Sequence, residues 1–145
     1  MKKPRMQDYL LPLEDLTEDS PCPRWWTEAD GALAGMLDDR VEVSFTTSDS
    51  DYQGDIFKIL LVGDYVVLWR DSFGSCDSCD ALMSATLEEA HVHVKATLAE
   101  GNSRVFTSYK EAAEYLDTTE DFWWASRAYP REGLRDLRAE LGARS

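Results

Sequence analysis

The sequence is short of the residues that staple small folds. Three cysteines in 145 residues cannot make a disulfide framework, and their odd number leaves a thiol over. Such usage fits a reducing cytosol rather than an oxidising compartment. No apolar run approaches the roughly 18 residues that a membrane-crossing helix needs, so no membrane association is expected. Met1 to Arg5 are basic, but the apolar Tyr9-Leu10-Leu11 is cut by Pro12 and then by acids, which speaks against a signal peptide. A Gly-rich phosphate loop, a His-Glu-x-x-His and a Gly-x-Ser-x-Gly are all missing, and with them the usual starting points for an enzyme. Repeats and internal Pro/Gly/Ser linkers are missing too. Four of the five prolines lie in the first 23 residues among clustered acids. The expected organisation is an irregular N-terminal segment, 1–24, followed by one α+β domain, 25–145.

Positive charge is also scarce: 15 Lys and Arg stand against 28 Asp and Glu, for a net charge of −13. Residues 7–64 hold fourteen acids against three bases and residues 65–126 eleven against four, while both ends are basic. Phosphate backbones are bound by Lys and Arg that displace condensed counterions, so direct nucleic-acid binding is not expected. The acidity serves solubility, or it meets a basic surface on a protein partner and speeds association. A variant of the second reading is mimicry of nucleic-acid charge, which requires carboxylates aligned on one face.

What is present suffices for a core. The chain is 43% hydrophobic and 11% aromatic, and a domain of this length buries roughly two-thirds of the surface its unfolded form exposes. Val41, Val43 and Phe45 alternate with Glu42 and Ser44, the pattern of a strand with one buried face. Ile56–Val62 and Tyr65–Trp69 are β-branched and aromatic runs separated by Gly63-Asp64, a type II′ hairpin signal. Both runs are apolar at almost every position, Lys58 excepted, so both faces need cover. Thr27 with Asp30 suggests a helix start. Thr86 with Glu89 and Ser108 with Glu111 are capping-box pairs. The first places Leu87, His91, Val94 and Leu98 on one face, the second Tyr109, Ala112, Ala113 and Leu116. Arg104 to Thr107 reads as an edge strand. A last helix is expected from near Pro130 to Gly142, docking Leu134, Leu137 and Leu141. The expected fold is an antiparallel three- to four-stranded sheet with a central hairpin and helices packed on it.

Directly after the hairpin stands Phe73-Gly74-Ser75-Cys76-Asp77-Ser78-Cys79-Asp80-Ala81-Leu82. From about Asp55 to about Trp124 the chain resembles small uncharacterised proteins of tailed actinobacteriophages, which carry a Ser-Cys-Ser-Gly-Cys-Asp-Ala-Leu-like core. Ser75, Cys76, Ser78, Cys79, Asp80, Ala81 and Leu82 stand in that core; Asp77-Ser78 replaces its usual Ser-Gly. The resemblance implies phage origin and action inside a bacterial host, and it transfers no catalytic residue.

The simplest account of this segment is a turn whose cysteines pack under the sheet while Asp77, Ser78 and Asp80 bond local backbone. A second account is zinc held by Cys76, Cys79 and His91, since thiolate and imidazole suit tetrahedral sites. His91 and His93 project about 200° apart on a helix, so only one joins, and Asp77, Asp80 or Cys22 would complete the set. His93 is then expected to face solvent. A thiol-redox role is opposed by Asp77 and Asp80, which disfavour the thiolate. Asp49-x-Asp51-x-Gln53-Gly54 imitates a calcium loop, but position twelve is Leu60 where a bidentate Glu is needed. The remaining outliers are Trp25-Trp26 and Trp123-Trp124. They either plug the ends of the sheet or leave one member of each pair exposed as a partner anchor, a use for which Trp is enriched. The expectation for function is a non-enzymatic acidic accessory protein, without cofactor, that binds a host or phage protein. The alternative is a zinc or thiol module at Cys76 and Cys79.

Overall fold

A computed structural model describes residues 2–16, 35–48, 54–73, 86–99, 102–118 and 132–145. Four strands, β1 (Val41–Ser48), β2 (Gly54–Val62), β3 (Tyr65–Phe73) and β4 (Ser103–Phe106), form an antiparallel sheet in the order β1-β2-β3-β4. Among the described residues three full helices accompany it: α1 (Leu87–Thr97), α2 (Tyr109–Thr118) and α3 (Glu132–Arg144). The fold is α+β, with the hairpin in the middle and β4 at an edge.

The hairpin turns on Gly63, whose φ of +58° is what a primed two-residue turn requires and what a side chain resists. Val62 pairs with Tyr65, and the ladder then runs to Gly54 opposite Phe73. Alternation sends Ile56, Leu60, Val62, Val67 and Trp69 to one face. There α1 covers them with Ala90, Val94 and Leu98, and the N-terminal segment adds Met6 and Leu16. Phe57, Ile59, Val66 and Leu68 face the other way, under Ala112 and Leu116 of α2 and Leu134, Leu137 and Leu141 of α3. Each of these side chains contributes about 1.5–3 kcal/mol when removed from water. Cover on both faces is therefore what makes a uniformly apolar hairpin tolerable.

The N-terminal segment reaches its place through two 3₁₀ turns, Met6–Tyr9 and Leu13–Asp15. Its backbone is tied to residues preceding β1, with Leu11 N donating to Met36 O at 2.8 Å and Asp38 N to Tyr9 O at 2.8 Å.

Three expectations change in detail. β1 does not bury a single face: Val43 lies opposite Leu60 and Phe45 opposite Ile59, so a bulge at Ser44 inverts the pleat. Val43 thereby joins the core under α1, and Phe45 the core under α3. At the start of α1 both arms of the capping box form, each at 3.1 Å. At α2 only Ser108 caps; the Glu111 carboxylate accepts instead from Thr107 Oγ1 at 2.6 Å. Finally, α3 runs through Gly142 to Arg144, whose guanidinium bonds Glu140, Tyr109 and Ser44 and so fastens the last turn to α2 and β1.

Candidate functional site: an ionic cluster at one end of the sheet

Ser48, Gly54 and Phe73 lie at the end of the sheet opposite the Gly63 turn. The stretches 49–53 and 74–85 both leave from there, carrying Asp49, Asp51, Asp77 and Asp80 together with Cys76 and Cys79. Just inside this end the strands bury charged groups. Asp55 is 2% exposed, Asp71 8% and Lys58 0%.

Each has a partner that fixes it. On the α2/α3 face, Asp55 Oδ1 accepts from Arg70 Nε at 2.9 Å and from Nη2 at 2.6 Å. The two residues are diagonal neighbours in the β2–β3 ladder, close enough for long side chains. Arg70 is held at its backbone by Asn102, through N to Asn102 O at 2.9 Å and O to Asn102 Nδ2 at 3.1 Å. On the α1 face, Lys58 Nζ donates to Thr46 Oγ1 at 2.9 Å across the β1–β2 ladder. Asp71 Oδ2 meets His93 Nε2 of α1 at 2.8 Å. The hydrogen bond to Asp71 raises the His93 pKa above its ordinary 6.5, against the opposing effect of burial. Trp69 adds a neutral tie from β3 to α1, Nε1 donating to Thr97 Oγ1 at 2.9 Å.

His93 is thus half-buried and bonded rather than solvent-facing. The stripe that α1 buries is Ala90, Val94 and Thr97, and His93 falls within it at helical spacing. His91 sits at the margin, its Nε2 2.8 Å from Leu11 O. A carbonyl oxygen only accepts, so Nε2 carries the proton there and the free nitrogen is Nδ1. Trp25, Trp26, Trp123, Trp124, Cys76, Cys79 and Cys22 lie outside the described residues, as do Asp49 to Gln53 and most of the helix expected after Thr27. Among the described residues no three His, Cys, Asp or Glu side chains are grouped to hold a metal ion.

Sequence reasoning missed the Asp71–His93 and Asp55–Arg70 pairs. Their signal was present: Asp71 continues the period-2 series of Val67 and Trp69 towards the α1 face. What the cluster does chemically is hold charge. It orients an imidazole whose protonation state bears on how α1 is fastened to β3, and it keeps the strand ends rigid where the cysteine-bearing stretch departs. No family model, curated protein or solved structure matches this chain.

Proposed function

We propose that the chain is a non-enzymatic accessory protein of phage origin that binds a basic surface of a host or phage protein in the bacterial cytosol. The observation that carries this reading is where the charge lies. The described residues hold 17 acids and 12 bases, out of 28 and 15 in the whole chain. Eight of the thirteen excess negative charges therefore belong to the stretches that join the described elements. Those stretches also contain Trp25, Trp26, Trp123 and Trp124. Binding residues concentrate in connections positioned by a rigid framework, and Trp is the side chain most often dominant in interfaces. The buried acids, by contrast, already have partners, Asp55 in Arg70 of β3 and Asp71 in His93 of α1.

The test is affinity capture from host lysate with the full chain over a salt series. A basic protein should be retained at low salt, released as ionic strength rises, and lost when Trp25 and Trp123 are both changed to Ser. Retention that ignores salt and both substitutions, or no retained protein at any salt, would overturn the reading.

A further inference from the structure

Against the acidic background, one cavity carries only positive charge among its described lining residues. It encloses about 590 Å³ between the N-terminal segment, the end of α1 and β4, and its charged lining residues are Lys3, Arg5 and Arg104. Among the described residues no Asp or Glu lines it. Lys3 is partly compensated, donating to Val105 O at 3.1 Å and standing 3.6 Å from Glu111. Arg104 has no carboxylate partner among the described residues. Its guanidinium lies 5.4 Å from the centre of the Tyr115 ring, and its Nε is shut off from water without a hydrogen-bond partner among the described residues. A buried N–H without an acceptor is a standing cost, since that donor has left water and found nothing in return.

The geometry points to a binding site for a small organic phosphate, a phosphate monoester on an apolar or aromatic body of about mononucleotide size. Three features select this class. Arg5 and Arg104 are two guanidinium charges without a carboxylate partner among the described residues, matched in number by a phosphate monoester, which carries close to two negative charges at neutral pH. The guanidinium fork suits a tetrahedral or planar oxyanion in two-pronged contact. The volume lies in the range of small-ligand sites and is much larger than a bare anion fills, and Met6, Leu98, Val105 and Phe106 supply an apolar wall for the remainder. This site lies along β4.

Calorimetric titration of the full chain with AMP, inorganic phosphate, adenosine and phenylacetate tests the assignment. One AMP should bind per chain, inorganic phosphate at least ten-fold more weakly, and adenosine not at all. Arg104→Gln should weaken AMP at least ten-fold while the ligand-free melting temperature stays level or rises, because a buried Nε–H without an acceptor has been removed. Arg5→Gln, at an exposed position with no fold to disturb, should weaken it as well, and Lys110→Gln, outside the cavity, should not. Absence of AMP binding at millimolar concentration, or affinity unmoved by both Arg5→Gln and Arg104→Gln, overturns the site. Tighter binding of phenylacetate than of AMP overturns the choice of phosphate.

Discussion

Raising the pH should loosen α1 from β3. Asp71 raises the pKa of His93 in the folded protein, so the folded state favours the protonated imidazole. The stability this adds is complete below the unfolded histidine pKa of about 6.5 and is lost as pH rises through the raised folded value. Hydrogen bonds to charged groups are worth about 1.5–3 kcal/mol when shielded, and exposed ion pairs about 0.2–1 kcal/mol. Here the Asp71 side chain is 12% exposed and that of His93 36%. Solvent screening at the imidazole therefore places the pair near the lower range, at about 1 kcal/mol. Urea unfolding of the wild type and of Asp71→Asn between pH 5 and pH 9 measures it. The two proteins share His91 and every other carboxylate, so their difference isolates the pair. That difference should be about 1 kcal/mol at pH 6 and shrink as pH rises from about 6.5 through the raised pKa. In nuclear magnetic resonance titrations the His93 ring should titrate above 6.5, and lower in Asp71→Asn. A difference constant across the whole range, or a His93 titration unmoved by Asp71→Asn, would refute the argument.

Three substitutions probe the framework. Gly63→Ala meets no atom within 4 Å, so the left-handed φ is its only penalty; a loss of about 1–2 kcal/mol is expected in urea unfolding, and less for Gly63→Asn. Leu137→Ala empties a fully buried position between α3 and the sheet, with an expected loss of about 2–5 kcal/mol at unchanged denaturant slope. Thr86→Ala removes one arm of the capping box on α1 and should cost about 1 kcal/mol, with amide exchange accelerated in the first turn of that helix.

The parts of the fold written in local pattern were readable from sequence. The hairpin, the Thr86 capping box and the edge position of β4 each follow from a few adjacent residues. The bulge at Ser44 is different, because Val-Glu-Val-Ser-Phe alternates flawlessly. Only the pairing of Val43 with Leu60 and Phe45 with Ile59 shows that the strand must serve two cores. Glu111 likewise stands correctly spaced for a box, yet Thr107 offers its hydroxyl at 2.6 Å and wins the carboxylate. The charge cluster required tertiary knowledge of a further kind. Asp71 and His93 are 22 residues apart, and their meeting depends on how α1 turns on the sheet, a rotation that an Ala90-Val94-Thr97 stripe and a Leu87-His91-Val94 stripe favour differently.

The same placement bears on the cysteines. Residues 74–85 run between two anchored points. Phe73 is held in register opposite Gly54, and Thr86 is held by its own capping box. The Asp71–His93 bond and the Trp69–Thr97 bond then tie strand to helix on the framework side. His91, meanwhile, already uses Nε2 on Leu11 O, which leaves Nδ1 as its nitrogen for a metal. On the binding-protein reading, purified protein should carry no stoichiometric zinc by elemental analysis, and Cys79→Ser should leave the melting temperature unchanged. Stoichiometric zinc that disappears with Cys79→Ser, together with a fall in melting temperature, would show that the cysteines hold this end of the sheet themselves. That result would transfer the functional assignment to a metal module.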